Sequence, residues 1–247
     1  MTPLYRFAAP SAFYPVAGKM IPYFAWAAGI FAVIGLYLGL VVAPVDFQQG
    51  EHYRILFIHV PTAWMAMFTY FVMCGYAVLT LTFRTRLSAL MMRALAPTGT
   101  VFAVLALLTG SFWGKPTWGA WWVWDARTTS TLILLFLYIG YLALENAIED
   151  PLRGDRAGAL LILVGSVNLP IIYFSVQWWN TLHQGSSINL TAAPAMARVM
   201  VESMLALTLA AWFYTIAVSL VRVRQKILLR ERSAQWVLEL ALGAQGV

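Results

Sequence analysis

The sequence predicts an all-α, polytopic integral membrane protein: six transmembrane helices, N-in and C-in, with an outward-facing tryptophan-rich interfacial segment. Three observations predict it. Of 247 residues, 61% are hydrophobic and only 11% charged, and the mean hydropathy is +0.74, leaving too little polar surface for a soluble domain of this size. The apolar residues gather into six stretches, each close to the ~20 residues a helix needs to cross hydrocarbon. The basic residues flank those stretches unevenly, which sets a direction. Residues 1–247 read as a single membrane domain.

The predicted spans run Ile21–Val42, Ile58–Phe83, Ala94–Phe112, Thr129–Ala147, Ala157–Trp178 and Val199–Val221. The first is too long and too far from the terminus for a cleaved signal, and no A-x-A site follows it, so it reads as a retained span. The YRFAAPSAFYP stretch before it reads as interfacial rather than structured. Pro61, at the start of the second span, suits a first helical turn. Pro170 predicts a kink in the fifth, with Asn168 satisfying the freed backbone groups.

Arg6, Lys19, Arg84, Arg86, Arg93, Arg153, Arg156, Arg222, Arg224, Lys226, Arg230 and Arg232 fall on one side of these spans; Arg54, Lys115, Arg127 and Arg198 fall on the other. Twelve against four places both termini in the cytoplasm by the positive-inside rule. The first loop (44–57), the tryptophan segment (113–127) and the loop 179–198 then face outward, together with all three histidines, His52, His59 and His183. The net charge of +6 belongs to topology and anionic lipid, not to nucleic acid, because the basic residues sit beside the spans. The single cysteine, Cys74, lies in an apolar run and excludes a CxxCH haem-attachment motif.

His59 in FIHVPTAW and His183 in WWNTLHQGSS stand at outer span ends. A pair of histidines suits zinc, copper or haem iron. Zinc wants four ligands, and this face offers Asp46, Glu51 and Asp125 but no thiolate. Haem needs two axial ligands, flat apolar partners for its faces and cations for its propionates. The outer face supplies these as two histidines, many indoles, and Arg54, Lys115, Arg127 and Arg198.

The segment WGKPTWGAWWVWD holds Trp113, Trp118, Trp121, Trp122 and Trp124, five of the eleven tryptophans. An aromatic belt at the bilayer surface explains one or two per helix end, not five. At helical spacing Trp118, Trp121, Trp122 and Asp125 share a face, which predicts a short surface helix presenting indoles. Gly114 and Gly119 would admit a flat ligand close to the backbone. Asp125 also suits the N-terminus of the fourth span, and pairing with Arg127 is a second option. Glu202 reads as a partner of Arg198 one turn earlier. The ten methionines are scattered through the spans and read as packing.

With these motifs on one face, WGKPTWGAWWVWDART resembles the WWD motif of haem-handling proteins in cytochrome c biogenesis. Together with six spans, IHVPTAW and WWNTLHQG, nearly the whole chain resembles the CcmC family of cytochrome c maturation proteins. The resemblance implies a protein of the bacterial inner membrane that holds haem b on the periplasmic side and loads it onto the haem chaperone CcmE. It implies work in a complex with the ABC-transporter parts CcmA and CcmB and with CcmD. The family's axial histidines correspond to His59 and His183, as ligands of the haem iron. Its WWD tryptophans correspond to Trp113, Trp118, Trp121, Trp122 and Trp124, and the motif acid to Asp125. Polar residues of its first periplasmic loop correspond to Asp46, Gln49 and Arg54; no role transfers to His52.

These readings combine into a bis-histidine haem site that is shallow and open to one side, with Arg54 and Arg127 facing the propionates. Such a protein transfers haem rather than catalysing a reaction, and no catalytic residue is assigned. Ligation needs neutral imidazole, so affinity is expected to weaken as pH falls through about 6.5. No GxxxxGKS motif occurs, so energy from ATP would come from a partner. Three alternatives stand beside this. A cytochrome b-like redox subunit would place histidines deep in its spans. A channel or secondary transporter would carry mid-membrane ionisable groups or repeated halves. A haem lyase acting directly on apocytochrome would be longer, with further spans.

Overall fold

The computed structural model describes residues 9–183 and 196–243, so Arg6, one of the cytoplasmic-side cations, and loop residues 184–195 lie outside it. Six helices are long and apolar enough to cross a membrane, and no strand occurs among the described residues. In chain order, α1 (Pro10–Tyr37) continues into a π-helical turn (Leu38–Val42), and a 3-10 turn (Glu51–Ile55) leads into α2 (Leu56–Phe83). Then come α3 (Arg86–Trp118), α4 (Ala126–Ala147), α5 (Pro151–Gly165), α6 (Asn168–Trp178), α7 (Arg198–Arg230) and a short α8 (Gln235–Gly243). Five of the six predicted spans fall inside these elements and the fifth straddles α5 and α6; the elements also run on into the flanking polar stretches.

Three local expectations are corrected. The stretch before the first span is helical from Pro10, which occupies the first turn where its missing donor is not needed. Phe13 and Tyr14 of that turn pack on the buried cluster of Leu90, Ala94, Val223 and Ile227. Pro61 lies in the second turn of α2, because the helix starts at Leu56. The fifth span does not kink at Pro170 but breaks just before it, at Ser166–Val167, dividing α5 from α6. Asn168 does not repair that break; its Nδ2 donates to the Ser130 carbonyl on α4 at 2.9 Å.

α1 packs mainly along α7, α2 touches α3, α5 and α7, and α4 packs against α3, α5 and α6. The core centres on Tyr70, Met73, Leu134, Tyr138 and Ile162. Tyr70 and Tyr138 meet edge to face at 5.2 Å, and the Tyr138 hydroxyl donates to the Ala66 carbonyl at 2.7 Å. Threonines along the spans donate to carbonyls one turn back, as Thr80 does to Tyr76 and Thr100 to Ala96. Such bonds give hydroxyls in the spans a partner where water is absent, though the buried Thr69, Tyr70 and Ser219 hydroxyls have none among the described residues.

One end of the bundle is tied by charge. The Arg93 guanidinium lies between Glu145 and Asp155, 2.8 Å from the latter, and Arg230 reaches the other Asp155 oxygen at 2.8 Å. That network joins α3, α4, α5 and α7. Asp150 caps α5 by accepting the Leu152 and Arg153 amides at 2.8 and 3.0 Å. The opposite end carries the histidines.

Candidate functional site

At the histidine end, the first loop is shaped by its own polar residues. Asp46 accepts the amides of Gln48 and Gln49 at 2.9 and 2.7 Å, a turn in which a side chain replaces a backbone acceptor. Gln49 then accepts the indole N–H of Trp113 at 2.7 Å. Arg54 donates to the Gly39 and Ala43 carbonyls at 2.5 and 3.0 Å and pairs with Glu51. It therefore ties the π-helical turn to the loop, and it is not among the residues lining the cleft.

The tryptophan segment is not a surface helix. α3 continues through Trp113 to Trp118 and stops at Gly119, whose φ of +79° suits a left-handed cap. The Gly119 amide donates to the Lys115 carbonyl, and the Lys115 ammonium reaches the Gly119 carbonyl, both at 3.0 Å. Residues 120–125 are irregular, so the helical spacing expected of Trp118, Trp121, Trp122 and Asp125 is lost. The indoles form walls instead of a flat shelf. Trp113, Trp118, Trp121 and Trp122 line a cleft that is open to solvent on one side. Trp124 is 75% exposed and packs edge-on against Trp122 at 5.4 Å.

The two histidines face each other across this cleft. Their ring centroids are 6.2 Å apart, with planes inclined by 36°. His59 projects from α2 beside the Trp113 ring, at 5.7 Å. It packs over Gly110 of α3, where an added Cβ would lie 3.0 Å from its Cε1 atom. Its Nδ1 is 3.1 Å from the Thr109 hydroxyl. His183 lies 6.1 Å from the Trp118 ring, and its amide donates to the Thr181 hydroxyl oxygen at 3.1 Å. The Thr181 hydroxyl in turn donates to Asp125.

Asp125 is the N-cap of α4, accepting the Thr128 amide at 2.8 Å and the Thr128 hydroxyl at 2.8 Å. Burial raises the affinity of its carboxyl for a proton. The hydrogen bonds from Thr128 and Thr181 outweigh that and hold it below the usual carboxylate range. Arg127 does not pair with it by hydrogen bond; it lines the cleft and donates to the Ile172 carbonyl at 3.0 Å. Of the outer cations expected near a ligand, Arg127 alone lines the cleft among the described residues. Arg198 pairs with Glu202 at 2.7 Å, as its spacing predicts.

Among the described residues no three His, Cys, Asp or Glu side chains converge on one point. The donor set is two imidazoles between aromatic walls with one guanidinium, which fits a group that brings its own equatorial ligands. Thr109, Gly110 and Thr181 were not singled out from sequence. Gly110 alone had a signal: Ala106, Gly110 and Trp113 recur at helical spacing on the face of α3 that meets His59.

Comparison with known proteins adds to this geometry. The family model described as CcmC, heme exporter protein C, matches residues 3–238. The chain belongs to the CcmC family. Heme exporter protein C of Escherichia coli (strain K12) is 44% identical over 240 residues, covering 97% of this chain and 96% of its own. That of Haemophilus influenzae is 43% identical over 243 residues, covering 96% and 97%. A putative cytochrome c biosynthesis ccmC-like mitochondrial protein of Marchantia polymorpha is 48% identical over 156 residues, covering 63% and 66%. The CcmC match spans both histidines, the tryptophan segment and all six membrane helices.

Proposed function

We propose that this CcmC-family protein binds haem b in the cleft, with His59 and His183 as axial ligands, and passes it to a haem chaperone of the CcmE type during cytochrome c maturation. The observation that carries the reading is the facing of the two imidazoles. An iron about 2 Å from a nitrogen of each ring would hold the two centroids roughly 6 Å apart, against the 6.2 Å present here. Trp113, Trp118, Trp121 and Trp122 supply apolar walls for the porphyrin, and Arg127 is the cation available to a propionate. Trp124 and Asp125 act from behind, Trp124 against Trp122 and Asp125 through Thr181. Asp46, Gln49 and Arg54 act through the shape of the first loop and the Trp113 indole.

The open side of the cleft suits transfer, since a fully enclosed haem would leave slowly. The names of its relatives support a haem-handling role rather than catalysis. Work with CcmA, CcmB and CcmD, and placement in the bacterial inner membrane with the cleft on the periplasmic face, follow from the family and the positive-inside pattern. The test is a spectrum of the purified protein titrated with haemin. Low-spin bis-imidazole bands are expected, and they should vanish in His59→Ala and in His183→Ala; bands unchanged in both would overturn the axial assignment. Replacing Trp118 and Trp122 together should abolish loading of the chaperone, and normal loading would reduce the indoles to a membrane belt.

A further inference from the structure

We propose that Thr109 is the positioning residue that fixes the tautomer and aim of His59, resting on the reading of His59 as an iron ligand. Hydrogen-bond direction sets the tautomer. The Thr109 hydroxyl lies 2.6 Å from the Leu105 carbonyl one turn back on α3. A carbonyl only accepts, so the hydroxyl proton is directed there. The Thr109 oxygen that faces His59 Nδ1 at 3.1 Å then has only lone pairs to offer. Nδ1 must carry the imidazole proton and donate it.

The consequence falls on the far nitrogen. With the proton on Nδ1, Nε2 presents an unprotonated lone pair, the form that binds a metal. The relay Nδ1–H to Thr109 Oγ1 to Leu105 carbonyl orders the ring before any ligand arrives. It also makes the imidazole a stronger donor, as outer partners of ligating histidines do. Gly110, the next residue on α3, makes room for the same ring, so one turn of α3 both seats and orients it. In water a histidine side chain favours the proton on Nε2, which would block ligation until a proton moved. Thr109, beside the Ala106 carbonyl that the ring also meets, reverses that preference.

The experiment uses full-length protein in lipid with nitrogen-15-labelled histidine, and the variants Thr109→Val and Thr109→Ser. Valine keeps the shape and β-branching but removes the acceptor; serine keeps the hydroxyl. Without haem, nitrogen NMR should show His59 with its proton on Nδ1 in wild type and Thr109→Ser, and a shift of population to Nε2–H in Thr109→Val. On titration with haemin, Thr109→Val should lose about tenfold in affinity. Its bound haem should have a raised midpoint potential, because a weaker donor stabilises ferric iron less; Thr109→Ser should restore both. A Thr109→Val protein with the wild-type tautomer, affinity and potential would overturn the proposal while leaving the axial assignment standing. A wild-type protein without bis-imidazole bands would remove the axial assignment, and the proposal with it.

Discussion

The carboxylate of Asp125 accepts a hydrogen bond from the Thr181 hydroxyl, joining two parts of the chain 56 residues apart. Thr181 in turn holds the amide of His183. The acid at the end of the tryptophan segment therefore has two separate tasks, capping α4 and fixing the turn that carries a histidine. These tasks can be divided by mutation. Thr181→Val leaves the cap intact, so its melting temperature should stay near wild type while haemin affinity falls about tenfold. Asp125→Ala should show the same loss of affinity together with about 1 kcal/mol of destabilisation from the lost cap. Equal thermal and binding losses in both variants would contradict the division.

The same carboxyl predicts a pH dependence. Its folded-state affinity for protons is depressed relative to the ordinary value of 3.8, since the Thr128 and Thr181 hydrogen bonds outweigh burial. A depressed carboxyl contributes stability that is present above the unfolded value and is lost as pH falls through the folded one. Wild type should lose stability on acidification below that ordinary value. Asp125→Asn lacks this titration, so the difference in melting temperature between the two should narrow toward low pH; a constant gap across the acid range would contradict it.

Gln49 and Trp113 form a second long-range tie, at 2.7 Å across 64 residues. A double-mutant cycle of Gln49→Leu and Trp113→Phe should give a coupling of about 1 kcal/mol in unfolding free energy, the size of one part-buried hydrogen bond. Gln49→Leu alone should leave an unpaired indole N–H beside His59 and weaken haemin binding. Strict additivity would mean that the first loop moves independently of the cleft.

At the opposite end, the network of Arg93, Glu145, Asp155 and Arg230 is largely buried, with Asp155 8% exposed. Removing one partner leaves uncompensated charge. Asp155→Ala should destabilise by about 3 kcal/mol, measured by chemical unfolding in detergent. The haem spectrum of the folded fraction should be unaltered, because the network and the cleft lie at opposite ends of the bundle.

The membrane architecture was legible because hydrocarbon imposes a length and polarity that composition reveals directly. Helix ends were less so: α1 begins at Pro10 and α7 runs to Arg230, since interfacial residues remain helical without being apolar. The histidine pair and four of the five wall tryptophans meet as their clustering in sequence suggested. What misled was periodicity. Spacing alone put Trp118, Trp121, Trp122 and Asp125 on one helical face, but Gly119 ends the helix and Asp125 starts another. A glycine and an N-cap acid six residues apart were the stronger signals. Thr109 was invisible because a threonine in a span ordinarily bonds its own helix, and Thr181 because it stands in a loop without a pattern of its own; only the fold shows that each also meets a histidine.

Gly110 offers a test in which stability and binding move in opposite directions. It lies within α3, where alanine is intrinsically favoured over glycine by up to about 1 kcal/mol. A merely structural glycine at this position would therefore gain from replacement. The added methyl carbon, however, would stand 3.0 Å from Cε1 of His59, so the ring would have to give by a few tenths of an ångström and lose its aim. Gly110→Ala should hold or raise the melting temperature while haemin affinity falls about tenfold and low-spin bands weaken. Unchanged binding would show that His59 has room to relax, and that the close seat on α3 is not needed for ligation. A fall in both stability and binding would point to general overpacking instead of displacement of the ligand.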